Sequence, residues 1–254
     1  MRTKSLLLSA AFAAFAFAAL GRASTPLDEA RTALQNNNLA QAESLLLPLT
    51  GPEAQDPVAL ILFSQVRLAQ KNSLAAIDLA ERATKLDATK ADYFSQLGRA
   101  LAQRIGEISF IQQAFVAGKL RRAYEKTVEL DPNNVGGLIG LARYFTNAPA
   151  IAGGDLAKAQ TYALRLQQIV PFLGEMEQAN IASRGGNDAD ALAHFSAAAK
   201  LNPNDAEAQN QCGRTLARLK RTDEARACFA AALKLNPNLD SAKNSLAELD
   251  AEKR

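Results

Sequence analysis

Short stretches of apolar and small residues recur along the chain, and a polar phrase interrupts them at a nearly constant interval. Three copies of the phrase are almost identical: Leu130-Asp131-Pro132-Asn133-Asn134, Leu201-Asn202-Pro203-Asn204-Asp205 and Leu235-Asn236-Pro237-Asn238. Proline has no backbone N–H to donate and disfavours helix in the residue before it, so each phrase stops one helix and lets another begin. Pro203 and Pro237 stand 34 residues apart. One run falls outside this pattern. Ser5–Leu20 is an uncharged apolar run of 16 residues, preceded by Arg2 and Lys4 and followed by small residues at 21 and 23. A basic start, an apolar stretch and a small-residue cleavage site form the layout of a signal peptide, here residues 1–23. The run is short of the roughly 20 residues a membrane-spanning helix needs. The mature chain is therefore expected to be periplasmic or secreted, with no stable membrane insertion after cleavage.

On the 34-residue period the small residues fall into register. With Ala206 as position 1, Gly213 is position 8, Ala225 is 20, Phe229 is 24, Ala232 is 27 and Pro237 is 32. One period earlier, counted from Phe172, the same positions hold Ala179, Ala191, Phe195, Ala198 and Pro203. Residues 57–89 keep Leu60, Phe63, Ser64, Ala76, Ala80 and Ala83, and residues 23–56 keep Ala30, Ala42, Leu46 and Leu49. This pattern resembles the tetratricopeptide repeat, a helix–turn–helix unit of 34 residues. The resemblance implies an all-α solenoid of about six repeats, starting near 23, 57, 91, 135, 172 and 206, across residues 24–254. Residues 240–253 are expected to form a capping helix over the last apolar face, as a stacked array requires.

Two copies are overlong. Gly98 fits position 8 of the third, yet Pro132 comes ten residues late; Ala142 fits position 8 of the fourth, and Pro171 comes five late. The excess lies within 104–119 and 144–155, read as insertions between the two helices of each copy. Equivalent loops of neighbouring repeats leave a solenoid on one edge, so the two are expected side by side, on a working face.

Composition changes this picture little. Of 254 residues 52 are alanine, the best helix former, and none is tryptophan. The net charge of +3 comes from Arg2, Lys4 and Arg22, leaving 26 basic against 26 acidic residues beyond position 23. The basicity therefore gives no reason to expect a nucleic-acid partner.

Little of the sequence points to chemistry. The single histidine, His194, occupies an ordinary mid-helix position and reads as a packed or surface residue. No metal-ligand cluster and no phosphate-binding glycine motif is present, so no catalytic residue, cofactor or metal is expected. Glu107 is the one carboxylate that invites a catalytic reading, as a lone acid in a cleft. Cys212 and Cys228, at positions 7 and 23 of the sixth copy, lie nearly level in an antiparallel hairpin. Export permits a disulfide there, but position 24 faces the first helix better than 23 does, which favours two thiols acting as small apolar residues.

The expected function is non-catalytic binding of a protein partner. In the family resembled, first helices line a concave groove that position 9 faces; carried over, this gives Arg31, Gln65, Arg99, Arg143, Asn180 and Arg214. Guanidinium groups there would hold carboxylates in a bidentate fork. Position 5 reads Leu27, Ile61, Ser95, Ile139, Met176 and Asn210, so the carboxylate clamp of chaperone-binding relatives is not reproduced. A second candidate surface is the inserted edge, with Ile105, Ile108, Phe110, Ile111, Phe115 and Val116 beside Tyr144, Phe145, Asn147 and Pro149. These residues would either pack on one another or dock a partner. A small-ligand-binding or self-assembling envelope protein is the alternative.

Overall fold

A computed structural model describes residues 24–251; the expected signal peptide and the last residues of the expected capping helix lie outside them. Thirteen α-helices and two 3₁₀ turns make up the regular structure of the described residues, and no strand occurs among them. The helices pair in order as antiparallel hairpins: α1 (Pro26–Gln35) with α2 (Leu39–Leu46), α3 (Pro57–Ala69) with α4 (Ser73–Leu86), and α5 (Ala91–Glu107) with α6 (Phe110–Leu130). Then come α7 (Val135–Asn147) with α8 (Leu156–Ile169), α9 (Pro171–Arg184) with α10 (Asp188–Leu201), and α11 (Ala206–Arg218) with α12 (Thr222–Leu235). The thirteenth, α13 (Asp240–Ala251), packs on α12 and α11. Each hairpin packs on its neighbours along the chain, which is what defines a solenoid.

The polar phrases act as punctuation. Asn134 and Asp205 cap the N-termini of α7 and α11, their side-chain oxygens accepting from the backbone N–H of Gly137 and Ala208. The small register residues explain why the helices approach so closely. Ala42, Ala76, Ala159, Ala191 and Ala225, all at position 20, are fully buried. At position 24 a larger group wedges between the helices of most hairpins, and Phe229 seats its ring directly on Gly213.

Position 15 turns the chain between paired helices in the four copies of ordinary length. Asn37, Lys71, Gly186 and Lys220 stand there, with φ of +55°, +60°, +78° and +60°. Only Gly186 occupies this left-handed region free of Cβ strain. The other two copies have no such turn, because their excess residues rebuild it.

The rebuilding of the third copy corrects the expectation of an inserted loop. Residues 104–119 extend both helices, so α5 has 17 residues and α6 has 21, with only Ile108 and Ser109 between them. Ser109 and Gln112 form a reciprocal capping box that starts α6 at once. The result is a helical arm longer than any other hairpin. In the fourth copy the excess is a loop, with a 3₁₀ turn at Ala150–Ala152 and Gly153 at φ +87°.

The two cysteines are free: Cys212 is buried and Cys228 half-buried, and the disulfide weighed from the sequence is not made. Phe229 takes the inward direction between the helices, which leaves Cys228 on the flank of the seam. Burial, with the neighbouring Cys228 adding to it, pushes the Cys212 thiol up to about 11. At pH 8 only about one Cys212 in a thousand is then a thiolate. We expect two thiols to titrate in denaturant, and Cys212 to alkylate far more slowly than Cys228 in the native protein. Zero thiols in denaturant would show a bond.

Candidate binding cleft

The lengthened arm and the rebuilt loop face each other across a cleft of about 1290 Å³. Ile105, Phe110, Ala114 and Ala117 line it from the arm, and Pro149 and Ile151 from the loop. Arg99, Tyr124, Ile139 and Arg143 line it where it opens onto the first helices of the third and fourth copies. The groove and the inserted edge, two separate surfaces as read from the sequence, are one continuous cavity. No Asp or Glu lines it, and Arg99, Arg121 and Arg143 do. Phe110 and Ile151 of its lining are largely exposed, as are Ile111 and Phe115 elsewhere on the arm, so these four do not pack into a satellite core. Of the apolar arm residues, Ile105 and Val116 do join the core.

The arginines differ in how they are held. Arg99 is exposed and has no hydrogen-bond or ion-pair partner among the described residues. Arg143 reaches across to the next copy and binds Glu177, its Nε and Nη2 both 2.7 Å from Oε1. The Glu177 side chain is 2% exposed, so this contact compensates a buried charge. Beside the pair is a polar hollow of about 440 Å³, lined by Thr146, Asn147, Asn180, Ser183 and Arg184 as well. Asn147 lines both cavities and donates from Nδ2 to the Arg143 carbonyl.

Three sequence-predicted site residues are placed differently from the expectation. Phe145 is buried, stacked on Tyr162 at 5.8 Å and edge-on to Tyr144 at 5.4 Å, so it belongs to the core. Tyr144 is mostly buried; its hydroxyl donates to the Ala152 carbonyl at 2.5 Å and ties the rebuilt loop to α7, while the side chain forms part of the cleft wall. Arg214 is exposed on α11 and lines neither cavity, so the arginine ladder does not continue to it. The remaining members are Arg31, paired with Asp28 at 3.3 Å, and half-buried Gln65.

Glu107 is not arranged as an acid catalyst. Ser73 Oγ donates to its Oε2 at 2.5 Å and Gln103 Nε2 to its Oε1 at 3.1 Å. These bonds, Ser73 first, hold the carboxyl below its ordinary value, whereas a general acid needs it raised. Its visible work is to staple the end of α5 to the start of α4. His194 Nδ1 lies 2.6 Å from Glu175 Oε2, within its own hairpin. Among the described residues no group of three His, Cys, Asp or Glu converges as metal ligands, and no helix is long and apolar enough to cross a membrane.

Two residues of this region escape a reading by register. Glu177 is a charge at position 6, a site the structure buries; its 34-residue distance from Arg143 is the signal that couples them. Tyr124 is the wedge of the third copy, displaced by the ten extra residues, and Gly98 at position 8 is the cue that a ring follows.

Comparison with known proteins agrees with this architecture. Residues 206–239 match the sequence model of the tetratricopeptide repeat. No curated sequence matches the chain. Among solved structures, a thermophilic TPR protein of Thermus thermophilus superposes with a TM-score of 0.63 at 17% identity, over 76% of this chain and 98% of the other. PilW, a type IV pilus biogenesis factor, gives a TM-score of 0.69 at 14% identity, over 87% and 96%. Pseudomonas aeruginosa PilF gives 0.62 at 14% identity, over 88% and 96%. At such identities the likeness concerns the fold.

Proposed function

Starting from a tetratricopeptide-repeat protein, we propose an exported, non-catalytic scaffold that docks a segment of a partner protein in the cleft between the arm and the rebuilt loop. The observation that carries this reading is the continuity of the cleft, which both irregular copies build and which runs from the inner groove to the exposed Phe110 and Ile151. Insertions that share one cavity and leave large apolar side chains uncovered around it fit a docking site. Size supports a segment over a metabolite, since small-ligand sites usually enclose about 300–1,000 Å³. The signal-peptide layout of residues 1–23 supports a partner in the periplasm or outside the cell.

Site-specific photo-crosslinking tests the reading. A benzophenone amino acid replaces exposed Ala114 in the cleft, or exposed Ala230 on α12 as the control, in the full chain produced in its natural envelope. We expect a protein adduct from position 114 and none from 230, on a chain shortened by residues 1–23. An adduct to a second copy of the chain would replace docking by self-assembly. Adducts from 230 alone, or from neither position, would overturn the reading.

A further inference from the structure

Position 24 holds a group without a hydroxyl in every other copy: Leu46, Ala80, Ala163, Phe195 and Phe229. The third copy has Tyr124, and the surroundings are cut to fit it. A Cβ on Gly98 would come within 2.5 Å of the Tyr124 ring, and one on Gly140 would collide with it equally. The ring therefore lies between α5 and α7, 5% exposed, and forms part of the cleft wall. Its hydroxyl has no hydrogen-bond partner among the described residues. The hydroxyl is not among the sealed unpaired polar atoms, so it opens onto the cleft, and phenylalanine would fill the same slot without offering a donor there. Burial pushes the phenol up to about 12 while the charges of Arg99 and Arg143 pull it the other way. The hydroxyl thus remains a donor, and it is close enough to both guanidinium groups to feel them.

The charges around this point do not cancel. Arg143 spends Nε and Nη2 on Glu177 and keeps Nη1, and Arg99 is wholly uncommitted. The third arginine of the lining, Arg121, is paired with Glu125 at 3.5 Å, so Arg99 and Arg143 against the Glu177 carboxylate leave one positive charge in a cleft with no acidic lining. Apolar lining flanks it on both sides: Gly136 and Ile139 precede Arg143 along α7, and Pro149 and Ile151 follow it. A chain passing through would place its middle, and not its end, at the arginines.

We propose that Arg99, Tyr124 and Arg143 form a subsite for one carboxylate, supplied by an aspartate or glutamate side chain with apolar residues on either side in the docked segment. This rests on the docking reading above and gives it a specificity. The wedge tyrosine supplies one O–H donor, the guanidinium groups supply charge-assisted N–H donors, and a single carboxylate completes the balance.

Random heptapeptide libraries, acetylated and amidated so that no terminal charge remains, test this on the mature protein. One library contains Asp and Glu; in the other Asn and Gln replace them. We expect selection from the first only, converging on one acid between apolar residues. Tyr124→Phe should weaken the best acidic peptide about tenfold, as loss of one hydrogen bond to a charged group predicts, and leave its amide counterpart unchanged. Its thermal midpoint should stay at that of the wild type, because the ring still fills the slot against Gly98 and Gly140, and this separates lost binding from lost folding. Arg99→Gln should weaken the same peptide without changing the fold. Equal selection from both libraries would overturn the carboxylate subsite and leave the docking cleft standing. Binding that survives both substitutions, or that needs a free C-terminus, would overturn the subsite as well. No selection from either library would remove the subsite and the docking reading together.

Discussion

Gly174→Ala lowers the thermal midpoint by on the order of 10 °C, the value expected if overpacking costs about 3 kcal/mol in a chain of this size. The glycine lies where α8 gives way to α9 across the single residue Val170, a junction without the polar phrase that spaces other hairpins. A Cβ there would run into the Gln167 backbone nitrogen, Cα and Cβ. Backbone atoms cannot rotate aside, so the two helices must part and carry the buried Leu166 and Ala179 with them. Gly106→Ala is the control, since nothing lies within 4 Å of a Cβ at that helical position and alanine is the better helix former. Thermal unfolding followed by circular dichroism at 222 nm should show the first variant well below wild type and the second at or slightly above it. Equal midpoints for the two would mean that α8 and α9 are not in this close contact.

Arg143→Glu costs about 3 kcal/mol, while Arg99→Glu stays within about 0.5 kcal/mol of wild type. Both arginines are exposed at position 9 and line the same cleft, so the sequence treats them alike. What separates them is Glu177: reversing Arg143 sets a second carboxylate against a buried one, while reversing Arg99 disturbs no partner. Urea midpoints of the two variants measure the difference directly. Replacing both members of the pair, as Arg143→Met/Glu177→Met, should recover most of the loss, because an apolar pair leaves no stranded charge. If Arg143→Glu proves as stable as Arg99→Glu, the contact with Glu177 does not hold the fourth and fifth copies together. Binding measurements on this face therefore start from Arg99 and Tyr124, whose substitution leaves packing intact.

The repeat was legible because its determinants are short-range and recur. Gly213 and Phe229, or Ala179 and Phe195, announce one hairpin each without reference to the rest of the chain. Pro132, Pro203 and Pro237 mark helix ends for a reason that belongs to proline itself. The arm was less legible. Ile105, Phe110 and Phe115 have no place in the repeat, which invites reading them as loop, yet Ser109 and Gln112 already spell the cap that starts a new helix. Tyr124 went unread because ten extra residues moved it off the period. Phe145 was misplaced because an aromatic residue beside a loop looks available until Tyr162, from the next helix, is found stacked on it.

Sequence alone determined that the chain is a row of helical hairpins, which copies are irregular, and where their excess residues lie. Those properties follow from local rules of helix start, helix stop and close packing of small side chains. Only the tertiary structure decided that the excess of one copy lengthens two helices, that both irregular copies enclose a single cleft, and that Arg143 serves Glu177 while Arg99 serves nothing within the described fold. Each of these depends on which side chains from adjacent copies meet in space. A one-dimensional period specifies that neighbours stack; the contacts between particular unlike residues, a repeat apart or more, arise only once they have done so.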